Sequence, residues 1–345
     1  MCDAAVTPPA GKPGGLMILD AESATLLVRA ALADSGASVA TAACVASRVV
    51  EAELAGHPSH GLRLISGYCD RAGSDGCVLD CEPELIERPS QLALVDAHGG
   101  LGYRALELAV DAAATTALEH GLGACAVVRC GHAGRAGAWA ERGVEHGVVT
   151  IVLLGGSDPP FVMAAGPGAE AALHTNPIAI GVPADGPPLV LDIATSLVAE
   201  GKVGVARTRG TRLPDGAILS ADGVPTSDPA AFYDGGALLP FAGHKGFGLS
   251  AMIEVLAVMV TGADVAGSRP AEGALVICLD AGGFRPASHV RASVESLRRR
   301  LHDSGRKRVV LAPGEPEAAS RRSRTVEVEA GVYADLVARS NGVGS

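Results

Sequence analysis

Aromatic residues are scarce in this chain. Phe, Tyr and Trp make up 3% of its 345 residues, whereas hydrophobic residues of all kinds make up 48%. The interior must therefore be built mainly from Ala, Val, Leu and Ile. Long apolar runs are absent as well, because none reaches the roughly 20 residues that a membrane-spanning helix needs. A chain of this length can bury a large core, and we expect two or three subdomains.

Basic residues are too few to balance the acidic ones. The formal net charge is −10 at pH 7, which argues against a nucleic-acid partner, since such proteins carry a basic surface. The segment 1–15 is rich in Pro, Gly and Ala and lacks the apolar region of a signal peptide. We expect a flexible tail over residues 1–16, a cytoplasmic protein, and neither a nucleic-acid nor a membrane partner.

The cysteines lack the spacing of a metal site. The eight are Cys2, Cys44, Cys69, Cys77, Cys81, Cys125, Cys130 and Cys278. None forms a CxxC pair, and the two closer pairs have no His residues at zinc-ligand spacing. The pattern predicts free thiols and no metal.

Lysine is rare, and one lysine lies in an unusual place. The four among 28 basic residues are Lys12, Lys202, Lys245 and Lys307. Lys245 belongs to a glycine-rich turn, residues 243–248, which precedes an apolar run over 249–260. Because the run is apolar on all sides, it predicts a helix buried in the core. Unpaired N–H groups, glycines and an ammonium at its start favour an anion. The alternative is a turn that only leads into a core helix.

Local patterns predict an α/β chain. The predicted helices cover residues 21–34, 38–56, 105–120, 136–146 and 290–301. The predicted strands cover residues 92–96, 124–128, 148–154, 178–182, 189–193 and 275–279.

Polar residues among glycines mark three candidate sites. Ser59-His60-Gly61 follows a proline, and a His there is a candidate acid–base group; the alternative is a helix-capping Ser beside an incidental His. The stretch 129–137 joins a strand to a helix, but its glycines are spaced by three and do not form the Rossmann fingerprint. Asp192 ends a strand and is placed to orient a His, while Thr195 and Ser196 are alternatively caps of the next helix.

Seven motifs follow one another along the chain. They are SHGLRLISGY (59–68), GHAGRAGAWA (131–140), TNPIAIGVP (175–183), LVLDIATSLVAEGK (189–202), GVPTSDP (223–229), LLPFAGHKGFGL (238–249) and APGEPE (312–317). In this order they resemble the type-2 malate/L-lactate dehydrogenase family. That family includes sulfolactate and ureidoglycolate dehydrogenases, diketogulonate reductase, and reductases of piperideine-2-carboxylate and pyrroline-2-carboxylate.

The resemblance implies an α/β fold that is not a Rossmann fold. It implies a mixed, largely antiparallel sheet that binds NAD(H) or NADP(H), and a helical subdomain built from both chain ends. The substrate subdomain would cover 17–122, completed by 286–345, and the glycine-rich cofactor domain 123–285. A homodimer with its active site near the subunit interface is also implied.

The resemblance also implies roles for individual residues. His60 resembles the family's proton donor, with Ser59 and Asp192 as its relay partners, and His132 matches a second catalytic His. Arg63 and Tyr68 are the candidate substrate-binding residues. The implied cofactor-binding residues are His132, Gly134, Ser157, Thr175, Asn176, Asp192, Ile193, Ala194, Thr195, Ser196, His244, Lys245, Gly246, Gly314, Glu315 and Pro316.

The chain departs from the family pattern near the substrate. Leu64 stands where the family usually has an Arg that pairs with the substrate carboxylate, and Arg63 lies about 100° away around a helix. His174 replaces the usual Gly before Thr-Asn-Pro, and residues 155–158 replace an Asn-Ser stretch. The departures concern the substrate pocket, whereas the cofactor motifs are largely kept.

We therefore expect an NAD(P)(H)-dependent oxidoreductase. It would transfer a hydride between nicotinamide and a small 2-oxo or 2-hydroxy acid, or a cyclic imino acid, with His60 moving the proton. The alternative is a cofactor-binding relative without turnover that serves as a sensor or partner subunit. A third hypothesis is a metal-dependent enzyme that uses His60, His132 and His174.

Overall fold

The structure is a computed structural model that describes residues 15–88, 91–265 and 270–341. Residues 1–14 of the expected tail, with Cys2, lie outside the described residues. The α-helices are α1 (Ala21–Asp34), α2 (Val39–Leu54), α3 (Leu64–Asp70), α4 (Gly102–His120), α5 (Ala136–Glu145), α6 (Glu200–Arg209), α7 (Ala230–Tyr233), α8 (His244–Glu254), α9 (Ala287–Asp303), α10 (Glu315–Ser320) and α11 (Ala330–Ser340). The β-strands are β1 (Leu16–Asp20), β2 (Glu84–Glu87), β3 (Leu92–Asp96), β4 (Leu122–Val128), β5 (Val149–Gly156), β6 (Met163–Ala164), β7 (Ala171–Leu173), β8 (Ile178–Val182), β9 (Leu189–Ile193), β10 (Ile218–Leu219), β11 (Pro225–Thr226), β12 (Ala237–Leu238), β13 (Glu272–Leu279) and β14 (Thr325–Glu329).

Side-chain caps fix the starts of the first two helices. Asp20 accepts a hydrogen bond from the Ser23 N–H group at 2.8 Å, and Ser38 accepts one from the Thr41 N–H group at 3.1 Å. Each cap satisfies a backbone donor that has no partner within its helix. The predicted starts of α1 and α2 are confirmed.

A seven-stranded sheet forms the centre of the fold, in the order β2-β3-β4-β13-β5-β8-β9. Strands β3 and β4 are parallel, and the other neighbouring pairs in this sheet are antiparallel. Alternate residues of β13 face opposite sides, since Val276 belongs to the main core while Leu275 packs with Ala257 beyond α8. The predicted fold class, mixed and largely antiparallel, is confirmed.

The two chain ends build one helical layer. Strands β1 and β14 pair in antiparallel fashion, with Met17 opposite Val328. Helix α11 packs on α1, and buried Val28 and Leu336 belong to the same core. The helical part from both chain ends is therefore confirmed. The division at residue 122 stays a prediction, and β3 and β4, which lie on either side of it, are neighbours in one sheet.

A second, five-stranded sheet has the order β11-β10-β12-β6-β7. It carries its own small core around Met163, Ile218 and Leu238. Its strands have two or three residues each, which is too short to show an alternating apolar pattern. The sequence analysis did not predict it.

The helix behind the glycine-rich turn is buried on one face only. Helix α8 starts at His244 and continues as a π-helical turn, Val255–Met259. Ile253 is buried against the sheet, whereas Met252 is 55% exposed and Val260 67% exposed. The prediction of a helix surrounded by core is therefore wrong.

The start of α8 has fewer unpaired donors than predicted. The Lys245 N–H group donates to the Ala242 carbonyl at 3.4 Å, and the Gly246 N–H group donates to the Phe241 carbonyl at 3.0 Å. A side chain at Gly246 would collide with that Phe241 carbonyl and with the Thr195 carbonyl, which explains the glycine. The exposed Lys245 side chain is the element of the predicted anion site that remains available.

A carboxyl group supports the turn that carries His60. Glu53, on α2, accepts a hydrogen bond from the Leu62 N–H group at 2.9 Å. A Cβ atom at Gly61 would overlap the Glu53 carboxyl, so glycine is needed there. Burial raises the pKa of Glu53 to about 7, although the Leu62 N–H group acts in the opposite direction.

This burial predicts a pH dependence of stability. The folded-state pKa of Glu53 lies above its ordinary value of 4.5, so the folded chain binds this proton more tightly than the unfolded chain does. The stability contributed is complete below about pH 4.5 and is lost as pH rises through about 7. Glu53→Gln keeps an acceptor for Leu62 but removes the ionisation. We expect the variant to lose less thermal stability than the wild type between pH 5 and 8, measured as Tm. Exposed Glu119→Gln is the control, and parallel Tm profiles for Glu53→Gln and wild type would contradict the assignment.

Candidate active site

A cavity of about 190 Å³ lies where the His60 turn meets the ends of four segments of the central sheet. These segments are the loop after β4, the end of β5, the loop before β8 and the start of β13. The lining residues are His60, Cys130, Gly131, His132, Ala133, Gly134, Leu154, Gly155, Gly156, His174, Thr175, Asn176, Pro177, Glu272 and Gly273. Five predicted site residues are among them, namely His60, His132, Gly134, Thr175 and Asn176.

A short 3₁₀ turn, Pro58–His60, carries His60 to the cavity. The His60 Nδ1 atom lies 3.1 Å from the hydroxyl of buried Ser59. Helix α6 closes the turn from behind, because Gly201 allows its backbone to approach Ser59 so closely that a Cβ atom would lie 2.6 Å from the Ser59 Cβ. The predicted Ser59–His60 contact is therefore present.

The second imidazole, His132, has a defined tautomer. Its Nδ1 atom accepts a hydrogen bond from the Gly134 N–H group at 3.3 Å, and the Tyr68 hydroxyl lies 2.5 Å from the same atom. A backbone N–H group can only donate, so Nδ1 carries no proton and Tyr68 must donate to it as well. The neutral ring therefore carries its proton on Nε2 and can offer one donor to a ligand.

Both rings are neutral near pH 7. Their centroids lie 5.9 Å apart, with an angle of 12° between the ring planes. Burial lowers the pKa of His60 to about 4, although the charge of Asp192 acts to raise it. Burial also lowers the pKa of His132 to about 3, and a charge on His60 would add to that effect. The pair can thus hold one acceptor and one donor in the same cavity.

Asp192 acts on His60 through its charge. Among the described residues it makes no hydrogen bond to His60. Its carboxylate accepts the Gly137 N–H group at 2.9 Å and lies 3.6 Å from Arg135 Nη1. Ser59 thus contacts His60, and Asp192 influences it electrostatically; the relay itself stays a prediction.

The two predicted substrate-binding residues lie behind the cavity wall. Arg63 donates to the Gly201 carbonyl at 3.1 Å and packs against Gly204 of α6. Tyr68 is buried between His132 and Tyr103, whose hydroxyl is 3.0 Å away. In this structure Arg63 holds α6, and Tyr68 orients His132. Direct contact of either with a substrate stays a prediction.

The cavity wall includes four glycines and an asparagine with an unsatisfied acceptor. Gly131, Gly134, Gly155 and Gly156 present no side chains there. Asn176 is fully enclosed; its amide nitrogen donates to Ser250 and Glu254, while its Oδ1 atom has no hydrogen-bond partner within the described residues. A planar aromatic ring with a carboxamide would fit the wall and supply the missing donor, and nicotinamide is such a group.

Other predicted cofactor residues are occupied in supporting the loops. Thr195 donates from its hydroxyl to the Thr175 carbonyl at 2.7 Å, and Ser196 donates to the Val198 carbonyl at 2.7 Å. Ser157 lies 3.5 Å from the Ala271 carbonyl. Ile193 and Ala194 are partly buried between these groups. Their role toward a cofactor stays a prediction.

The predicted cofactor segments at residues 244–246 and 314–316 differ in whether their side chains are free to bind a ligand. His244 and Lys245 are exposed, and neither side chain makes a hydrogen bond or ion pair with a described residue. Next to Gly314, by contrast, the Glu315 carboxylate accepts hydrogen bonds from Arg298 and His302, each at 2.8 Å. Although its burial acts to raise the pKa of Glu315, these bonds lower it to about 2. Glu315 and Pro316 open α10, so this segment is anchored by the chain itself.

Sequence reasoning missed one titratable residue of the cavity, Glu272, and noted His174 only as a departure from the family pattern and as a ligand in the metal-dependent hypothesis. Both line the cavity with the predicted histidines. Glu272 is the first residue of β13, a strand predicted to start three residues later, at 275. The apolar residues from Ala274 onward are what indicated the strand, and a single Glu before them carried no signal of its own.

The described residues offer neither a cluster of metal ligands nor a membrane-spanning helix. No group of three or more His, Cys, Asp or Glu side chains in these ranges is placed to hold a metal ion. Across the same ranges, every helix is too short or too polar to cross a membrane.

Comparisons with known proteins agree with the geometry. The sequence pattern of the malate/L-lactate dehydrogenase family matches residues 19–337. An L-lactate dehydrogenase of Cupriavidus necator is 33% identical over 346 residues, covering 93% of this chain and 96% of the relative. A (2R)-3-sulfolactate dehydrogenase (NADP(+)) of Chromohalobacter salexigens is 33% identical over 326 residues, covering 91% and 94%. The crystal structure of delta1-piperideine-2-carboxylate reductase from Pseudomonas syringae matches with a TM-score of 0.82 at 29% identity, covering 94% of this chain and 99% of that one.

The relatives are named as dehydrogenases and reductases, and the match runs through both the helical layer and the central sheet. The predictions of a nicotinamide-dependent dehydrogenase or reductase and of the family resemblance are confirmed, because this chain belongs to the malate/L-lactate dehydrogenase family.

Proposed function

We propose that this chain transfers a hydride between NAD(P)(H) and a small 2-oxo or 2-hydroxy acid, or a cyclic imino acid, with His60 as the proton donor and acceptor. The observation that carries the proposal is the pair of buried neutral imidazoles, His60 and His132, in a cavity with a glycine wall. A neutral His60 is ready to accept the proton of a substrate hydroxyl. General acid–base help of this kind is typically worth about 10²–10⁴-fold in rate.

His60 handles the proton in both directions. In oxidation it takes the hydroxyl proton from the substrate, and in reduction it returns a proton to the oxygen or imine nitrogen. The Ser59 hydroxyl at its Nδ1 atom fixes the ring orientation. The Asp192 charge favours the imidazolium that forms during oxidation.

His132 has a different part in the proposed reaction. Its Nδ1 atom is held by Tyr68 and Gly134, so its Nε2–H group is fixed as a donor. A donor in a buried site stabilises negative charge on an oxygen of the substrate. We assign His132 to the substrate oxygen and His60 to the proton.

The cofactor would be held by groups of this chain that lack partners. When bound, the nicotinamide supplies or accepts the hydride. The Oδ1 atom of Asn176 would accept from the carboxamide, and the glycines of the cavity wall would face the ring. The exposed ammonium of Lys245 would meet a phosphate. We also propose that the protein is cytoplasmic and that it forms a homodimer. The exposed apolar residues Met252 and Val260 of the α8 segment support the homodimer.

Cofactor binding is testable through the only tryptophan, Trp139. It is buried, and its ring N–H group donates to the Ala133 carbonyl of the cavity wall at 2.9 Å. We expect NADH or NADPH to quench its fluorescence with a saturable curve and a Kd between about 1 µM and 1 mM. Lys245→Gln should weaken this affinity by about tenfold at low salt and by less at high salt. Lys307→Gln, which removes the same charge between α9 and α10, should not. No response to either cofactor would refute the proposed function.

The proton role is testable by His60→Gln. We expect turnover to fall at least about a hundredfold while the Kd of the cofactor stays unchanged, because the proton is lost and the cofactor contacts are kept. His57→Gln is the matched control, since His57 lies on the same turn, pairs with Glu317 at 3.2 Å and does not line the cavity. Equal activity of His60→Gln and wild type would remove His60 from the mechanism. Cofactor binding without turnover of any 2-oxo or imino acid would favour the sensor or partner subunit instead.

A further inference from the structure

One part of the cavity wall has no task in the proposed chemistry. Glu272 pairs with Gly156 across β13 and β5, and His174 approaches the same point from the loop before β8. A Cβ atom at Gly156 would lie 3.1 Å from His174 Cδ2 and 3.3 Å from Glu272 Cγ. The bare strand at Gly156 thus leaves room for two polar side chains to converge inside the cavity.

The neutral His174 ring turns its Cδ2–Nε2 edge toward Gly156. Its Nε2 atom lies 2.7 Å from the Asp158 carbonyl oxygen, which can only accept. The proton of the neutral ring is therefore on Nε2, and Nδ1 has a free lone pair. Phe161 packs edge-on against the ring, with centroids 5.6 Å apart, and limits its rotation.

Glu272 presents a carboxyl group to the cavity. No described residue donates a hydrogen bond to this group or forms an ion pair with it. Burial raises the pKa of Glu272, whereas the charges of His174 and Arg71 act to lower it and nearby Asp158 acts to raise it. A carboxyl group that is partly removed from water and has no donor is unfavourable, and a ligand that brings a positive charge would remove the penalty.

We propose that the Glu272 carboxylate, with His174 beside it, forms a subsite for a cationic nitrogen of the substrate. The substrate is then a short 2-oxo or 2-hydroxy acid whose side chain ends in an ammonium or guanidinium group. A second carboxylate at this position would meet a like charge, so dicarboxylates are poor substrates. This inference rests on the proposed function and names the substrate class of the same site.

The nitrogen takes no part in the chemistry. In oxidation the hydride leaves C2 of the hydroxy acid for the nicotinamide, the hydroxyl proton passes to His60, and a 2-oxo acid remains. The ammonium group stays bound at Glu272 throughout. Glu272 is therefore a specificity-determining residue, and its effect belongs in the comparison of substrates.

Two hydroxy acids of equal length test the subsite. They are 4-amino-2-hydroxybutanoate and 2-hydroxypentanoate, which differ by an ammonium in place of a methyl group. We expect wild-type kcat/KM to favour the amino compound by about tenfold or more, because a polar pocket built for a donor rejects an apolar analogue. A preference for 2-hydroxypentanoate, or turnover of neither compound, would overturn the inference.

Glu272→Gln is the decisive variant. It keeps the size of the side chain, and we expect it to reduce the preference, measured as the ratio of the two kcat/KM values within each enzyme, at least about tenfold. Exposed Glu145→Gln removes the same charge elsewhere and should leave the preference unchanged. If the preference survives in Glu272→Gln, the assignment is wrong. It is also wrong if the variant instead weakens NADH or NADPH binding, which would place the carboxyl at the cofactor.

The cofactor measurement separates the two hypotheses. Failure of Trp139 fluorescence to respond to either cofactor refutes the proposed function and the subsite with it. A saturable response together with turnover of 2-hydroxypentanoate, but no preference for the amino compound, refutes the subsite alone.

Discussion

Partial burial of two adjacent imidazole rings is the constraint on which this site depends. His60 and His132 stack 5.9 Å apart, and burial keeps both neutral. A buried polar ring needs partners for its nitrogens, and the surrounding layers supply them. The scarce aromatic residues are used here: Tyr103 contacts Tyr68, Tyr68 contacts His132, and Trp139 packs edge-on against Tyr103. Tyr68 donates its hydroxyl hydrogen bond to His132, and Tyr103 in turn donates to Tyr68. These two tyrosines, which lie outside the cavity lining, therefore fix the tautomer of His132.

A buried arginine connects this site to the rest of the fold. The side chain of Arg135 is 2% exposed and lies between Glu51 of α2 and Glu141 of α5, at 3.0 and 2.6 Å. Arg321, from the C-terminal part of the chain, binds the same two carboxylates. Four charges from three separated segments thus neutralise one another, which is how buried charges become tolerable.

The same arginine reaches toward the pair of imidazoles, His60 and His132. Arg135 Nη1 lies 3.6 Å from Asp192, yet neither Nη1 nor Nε makes a hydrogen bond within the described residues. The charge of Asp192 therefore acts on both Arg135 and His60. Burial is the main cause of the low pKa of His60, while Asp192 acts to raise that pKa and Arg135 acts to lower it. The ion network that joins the chain ends to the sheet also sets the charge balance beside His60.

Local sequence patterns predicted the elements that depend on neighbouring residues. They missed the features that depend on contacts between distant parts of the chain. The starts of α1 and α2 and the strand Leu92–Asp96 were readable because each signal lies within a few residues. The pairing of β1 with β14 joins residues about three hundred positions apart, and no local pattern encodes it. The exposed face of α8 was unreadable for a related reason, since Met252 and Val260 are as apolar as buried Ile253. The family motifs brought His60 and His132 together correctly, although neither residue predicts the other from spacing alone.

The cavity presents a hydrogen-bond donor from His132 and an acceptor from Glu272, so the two groups suit different parts of a ligand. The His132 Nε2–H group is a donor, so it suits a carbonyl or carboxylate oxygen. The Glu272 carboxyl group has no donor among the described residues, and the subsite proposed there would suit a positively charged nitrogen. A ligand that satisfies both His132 and Glu272 must carry an acceptor and a donor a short distance apart, and a dicarboxylic acid carries only the acceptor. His60, to which we assign the proton, lies in a family motif, whereas Glu272 and His174, to which we assign the choice of ligand, lie at a strand end and in a loop.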